Sequence, residues 1–146
     1  MSDSLTIGIT TNGTLIEPHL KELQNANIRH LNFSLDSLEP DTFNRITRRD
    51  EFKSTLHSIE TAYSMGFRIK VNMVALPGMN LSEIPDFAAL TEEKDIEVRF
   101  IEPMPFDGNG STCDNEFTGD NIKKIISERF SLVPVDSRDN AVATLF

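Results

Sequence analysis

The sequence predicts an α/β fold of about four parallel strands with flanking helices, and three features carry that expectation. Four short stretches, Leu5 to Gly13, Arg29 to Ser37, Arg68 to Leu76 and Ile96 to Pro105, each alternate between apolar and polar residues. Successive strand side chains face opposite sides of a sheet, so this alternation gives each strand one apolar and one polar face. Helix-length segments lie between the stretches, which makes them βα units and therefore parallel neighbours. Parallel strands covered by helices usually read as continuously apolar. A systematically polar face here points to a surface that lines a site.

The first strand sets Leu5, Ile7 and Ile9 against Thr6, Gly8, Thr10 and Asn12. Asn12-Gly13 turns the chain, and Leu15, Leu20, Leu23 and Ala26 follow at helical spacing, with Pro18 tolerable in the first turn. The second strand sets Leu31, Phe33 and Leu35 against His30, Asn32, Ser34 and Asp36. Glu39-Pro40-Asp41 then starts a short helix carrying Phe43 and Ile46, followed by the basic Thr47-Arg48-Arg49. A longer helix runs from about Glu51 with Phe52, Leu56, Ile59, Ala62 and Tyr63 as its stripe, and Gly66 stops it.

The third strand divides into Ile69, Val71, Met73 and Arg68, Lys70, Asn72, and ends at Pro77-Gly78. Asn80 and Glu83, three residues apart, read as a capping pair for a helix whose Ile84, Phe87, Ala88 and Leu90 face inward. The fourth strand opposes Ile96, Val98 and Phe100 to Glu97 and Arg99. From Phe106 to Phe117 the composition shifts to a polar loop, Thr118 caps a last helix carrying Ile122, Ile125, Ile126 and Phe130, and Leu132 to Val135 is a candidate strand. Residues 1–105 are thus expected to form the strand-and-helix core, and 106–146 a loop, a helix and the start of a further region.

At 146 residues the chain is one ordinary domain, well short of the roughly 250 residues of a complete eight-stranded barrel. Fourteen Lys and Arg against 23 Asp and Glu give a formal charge of -9, which argues against a general nucleic-acid binder. No apolar run reaches the ~20 residues that span a bilayer, and there is no signal-peptide pattern at the N-terminus. A cytoplasmic protein is expected. The one cysteine, Cys113, excludes an internal disulfide or a multi-cysteine metal site made by this chain alone, and reads as an incidental thiol in GNGSTCDNE.

Parallel βα arrays place ligands at the carboxyl ends of their strands. The candidates there are Thr10, Thr11, Asn12, Ser34, Asp36, Lys70, Asn72, Arg99, Glu102 and Met104. Lys70 and Arg99 on adjacent strands suit a phosphate or polyphosphate; equally, each could pair internally with Asp36 or Glu102. Thr10 and Ser34 could simply bond the backbone, and Met104 could fill core.

Five strings in order, TTNG, NFSLDSL, ITRRD, KVNMVALPGMN and above all VRFIEPMPFDGN, resemble the molybdenum-cofactor biosynthesis protein A family, the radical S-adenosylmethionine GTP 3',8-cyclases. The similarity runs from about Leu5 to Val135. It implies a partial TIM-type (βα) barrel of the radical S-adenosylmethionine kind, with this chain an internal fragment lacking the first two barrel strands. It implies GTP contacts at Thr10, Lys70 and Arg99, and S-adenosylmethionine contacts at Ser34 and Met104. Family members use S-adenosylmethionine and a [4Fe-4S] cluster to generate a 5'-deoxyadenosyl radical, which removes hydrogen from ribose C3' of GTP so that this carbon attacks C8 of guanine. The family's CxxxCxxC loop and its C-terminal cysteines are not in this sequence. The isolated chain is therefore expected to be inactive as a cyclase, with exposed barrel edges open to self-association. The competing readings are a non-catalytic nucleotide-binding half-barrel and a different radical S-adenosylmethionine enzyme.

Overall fold

A computed structural model describes residues 6–103, 117–135 and 146. Four strands, β1 (Gly8–Thr11), β2 (His30–Ser34), β3 (Arg68–Val74) and β4 (Ile96–Ile101), form one parallel sheet in the order of the sequence. The helices between them are α1 (Leu20–Asn25), α2 (Pro40–Thr47), α3 (Phe52–Ser64) and α4 (Ile84–Glu93), and α5 (Gly119–Ser127) follows β4. This is a βα array open at β1 and β4 among the described residues, in agreement with the fold expected from the alternation.

The apolar parity of the two central strands is the core. Leu31, Phe33, Leu35, Ile69, Val71 and Met73 are all buried, beneath Phe52, Ile59 and Ala62 of α3 and Ile84 and Phe87 of α4. Ile122 and Ile126 of α5 join the same cluster. On the edge strand β4, Ile96, Val98 and Phe100 are only partly buried, because they have one neighbouring strand instead of two.

The first crossover departs from the expected spacing. Leu15 is 79% exposed, and its neighbour Ile16 enters the core instead. A short 3-10 turn, Glu17–His19, with Pro18 in it, leads into α1, and Ile16, Leu20 and Leu23 stand at i, i+4 and i+7 on one face, whereas Leu15, five residues before Leu20, falls off that face. Ala26 ends up exposed beyond the helix. The turn before it is tightly determined. Gly13 has φ +84°, a region side-chain-bearing residues rarely adopt, and a Cβ there would lie 3.1 Å from Thr55 Cγ2 and 3.3 Å from Phe33 Cδ1. The Thr55 hydroxyl donates to the Asn12 carbonyl at 3.1 Å, docking this turn on α3. Gly13→Ala should therefore lower stability by about 1–3 kcal/mol, measured by urea denaturation; an unchanged midpoint would show that the turn is free to move.

Other elements follow the sequence closely. Arg48, at φ 57°, closes α2 in the left-handed conformation, and Gly66, at φ 79°, follows α3. The Asn121 side chain of α5 accepts from the Thr118 backbone N–H at 2.9 Å. Leu132 to Val135, the candidate strand, does not form one: apart from a single bridge residue at Val135 it is irregular. Leu5, most of the 106–117 loop and the apolar stretch 141–145 lie outside the described residues.

Candidate functional site

The strand register arranges the polar parity into transverse rows. Thr10 pairs with Asn32, Asn32 with Lys70, and Lys70 with Glu97, so these four side chains share one row across the whole sheet. One step toward the carboxyl ends, Ser34 pairs with Asn72 and Asn72 with Arg99. Neighbouring parallel strands are about 4.8 Å apart, which puts Thr10 and Lys70 roughly 10 Å apart across two strands, and Ser34 and Arg99 likewise. Thr10, Ser34, Lys70 and Arg99 thus fall on one face, on two adjacent rows. Met104 and Cys113 lie outside the described residues.

Within the first row the Asn32 amide donates to Thr10 Oγ1 at 3.3 Å. Lys70 Nζ lies 2.7 Å from Glu97 Oε2, and Arg99 Nε lies 2.6 Å from Glu97 Oε1. One carboxylate therefore bridges two cations, leaving the triplet with a net charge of +1. The internal alternative paired each cation with Asp36 or Glu102, and neither is the partner. Glu97 was visible on the polar parity, but only the register places it beside both cations. The Lys70 and Arg99 side chains remain 29% and 44% exposed, so both are reachable from solvent.

Asp36 and Glu102 are committed elsewhere. Asp36 Oδ1 accepts the Val74 backbone N–H at 2.9 Å, continuing the β2–β3 ladder with a side chain where β2 leaves the sheet. Glu102 Oε1 accepts the backbone N–H of Gly119 at the start of α5. Two further candidates are spent locally: Asn12 Oδ1 accepts from the Thr14 N–H at 3.2 Å, and Thr11 Oγ1 accepts from the Gly13 N–H at 3.1 Å.

Two carboxyls titrate in opposite directions. Burial pushes the Asp36 carboxyl above its ordinary value, only partly offset by the Val74 N–H. Burial also works against the Glu97 carboxylate, but hydrogen bonds and attraction from Lys70 and Arg99 outweigh it and hold Glu97 low. The Glu97 contribution to stability is present above the ordinary glutamate value of about 4.3 and is lost as pH falls through its lowered folded value. Asp36 has the reverse sign: its contribution is present below about 3.9 and lost as pH rises through its raised folded value, so its charge opposes folding at neutral pH. Asp36→Asn keeps an acceptor for Val74 and removes that charge. Its denaturation midpoint at pH 7 should equal or exceed the wild type's, and the stability expected to return to the wild type as Asp36 is protonated should be absent from its pH profile. A lower midpoint at pH 7 would assign the charge itself a stabilising role.

Asn80 and Glu83 hold a further surprise. They do not form a helix cap; both are buried and reach instead to the carboxyl end of β2. Only their three-residue spacing was visible in the sequence, and it carries no sign of that distant target.

Residues 2–91 match the family model of the radical SAM superfamily, and the chain belongs to that superfamily. Among curated proteins it is similar to the GTP 3',8-cyclase of Petrotoga mobilis, 39% identical over 92% of this chain and 42% of that protein. It is also 36% identical to the GTP 3',8-cyclase of Clostridium acetobutylicum, over 96% of this chain and 44% of the relative. A human relative, molybdenum cofactor biosynthesis protein 1, is 48% identical over 71% of this chain and 16% of its own length. The chain thus spans less than half the length of these relatives. A solved structure of TYW1 with a lysine-pyruvate adduct bound superposes with a TM-score of 0.61 at 19% identity, covering 93% of this chain and 45% of that one, which shows the shared fold. No described helix is long and apolar enough to cross a membrane.

Proposed function

We propose that this chain is the nucleotide-cradling part of a GTP 3',8-cyclase of molybdenum cofactor biosynthesis, acting in the cytoplasm. The observation that carries this reading is the pair of transverse polar rows, with Lys70 and Arg99 brought together over one carboxylate and Thr10 and Ser34 on the same rows. The names of the curated relatives support it.

On this reading Lys70 and Arg99 neutralise the phosphates of GTP, and the Thr10 hydroxyl bonds the same nucleotide. Ser34, with Met104 from beyond β4, seats S-adenosylmethionine. The polar rows fit these two ligands, since they combine hydroxyls and amides for ribose and base with cations for phosphate. When bound, S-adenosylmethionine supplies the radical precursor, and this chain's residues orient the two nucleotides and limit water around them.

A [4Fe-4S] cluster does not fit the residues of this chain. Such clusters need several thiolates, the sequence has one cysteine, and the described residues hold no group of three potential metal ligands. The cluster ligands are therefore assigned to polypeptide outside these 146 residues. The same reading makes the open edge of β1 the place where another strand, or a second copy of the chain, pairs.

Calorimetric titration of the chain with GTP tests the reading directly. Saturable binding that depends on Lys70 supports it, and absence of binding overturns it.

A further inference from the structure

The β2–β3 ladder ends with the Leu35 N–H donating to the Asn72 carbonyl at 3.0 Å, and with the Asp36 carboxylate on Val74. Beyond that point a second set of bonds takes over, supplied by the segment after β3. The Asn80 carboxamide is fully buried and donates both N–H groups, to the Asp36 carbonyl at 2.7 Å and the Val74 carbonyl at 2.8 Å. Its oxygen accepts the Leu76 N–H at 2.7 Å. Three residues on, the buried Glu83 carboxylate accepts the Ser37 hydroxyl at 2.9 Å and the Leu38 N–H at 2.6 Å.

Residues 36–38 are thus gripped at the Asp36 main chain by Asn80, at the Asp36 side chain by Val74, and at Ser37 and Leu38 by Glu83. These are not capping bonds, because the side chain of Asn80 makes none to the helix it precedes. Burying an amide and a carboxylate is costly unless every bond is made in good geometry. An apolar pair of similar volume would take these partners from the Asp36 and Val74 carbonyls and from the Leu76 and Leu38 N–H groups, so the polar pair both satisfies the main chain and fixes its position.

We propose that Asn80 is a positioning residue for the S-adenosylmethionine side of the cradle, its carboxamide and the second arm at Glu83 together setting the β2 carboxyl end that carries Ser34. This rests on the cyclase reading above. It deepens that reading by separating the two ligands. Thr10 and Lys70 lie one row closer to the amino ends, whereas Ser34 is the last residue of β2, one residue before the final ladder bond at Leu35 and two before the Asp36 carbonyl that Asn80 holds.

The test compares the full chain with Asn80→Ser and with the milder Ser37→Ala, which removes one donor from Glu83. Affinities for S-adenosylmethionine and for GTP are read by NMR titration, which reaches millimolar binding, at a temperature where circular dichroism shows each variant folded. Asn80→Ser should weaken S-adenosylmethionine about tenfold or more while GTP affinity changes by less than about twofold, and Ser37→Ala should weaken S-adenosylmethionine by roughly threefold with the same selectivity. Equal weakening of both ligands, or of neither, in a wild type that binds both would reduce Asn80 to a structural role and leave the cyclase reading standing. A wild type that binds GTP but not S-adenosylmethionine would overturn the Asn80 assignment alone, and one that binds neither ligand would overturn both. If Asn80→Ser does not fold, Ser37→Ala decides alone, selective loss supporting the assignment and unchanged affinity rejecting it.

Discussion

Replacing Phe33 by alanine is expected to destabilise the protein by about 3–5 kcal/mol, a large share of the roughly 5–15 kcal/mol that holds a domain of this size together. Phe33 is fully buried in the second of four strands, with Thr11 opposite it on β1 and Val71 on β3. Its ring also lies directly under the Gly13 turn, against which Thr55 of α3 packs. Truncation would open a cavity where sheet, turn and helix meet, and the left-handed turn leaves little freedom to collapse into it. Urea denaturation should show a lower midpoint with an unchanged slope. A loss below about 1 kcal/mol would mean that the first crossover repacks, contrary to the tight geometry at Gly13.

Lys70→Ala is expected to weaken GTP binding by about 10–100-fold, the equivalent of one charge-assisted hydrogen bond to an anionic oxygen. The fold should scarcely notice, since Lys70 is partly exposed and its loss still leaves Glu97 paired with Arg99. Calorimetry on the variant, with its denaturation curve alongside, separates the two effects. An affinity within about twofold of wild type would remove Lys70 from the phosphate site and favour a purely internal ion pair.

The fold was legible where short-range pattern decides it. The parity of Leu31, Phe33 and Leu35, and of Ile69, Val71 and Met73, separates core from polar face, and Gly66 follows the helix it was expected to stop. The first crossover was less legible: Leu15 and Ile16 are adjacent apolar residues, and it is Ile16, four residues before Leu20, that shares the buried face. Of the site, the polar face and its two cations could be read from alternation. The sharing of Glu97 could not, because it depends on register between strands separated by a helix and its loops. Asn80 and Glu83 were misread for a related reason: a local motif and a long-range clamp use the same residue types, and only the backbone path tells them apart.

The bridging carboxylate also bears on selectivity. A lysine and an arginine side chain left bare on an acidic protein would attract any small anion, and Glu97 already occupies both. An incoming ligand must outcompete an intramolecular rival that is always present. Chloride offers a single charged centre in exchange, whereas a polyphosphate brings several oxygens and more charge to the same two cations, so on the proposed reading the internal ion pair acts as an affinity threshold against weakly charged simple anions.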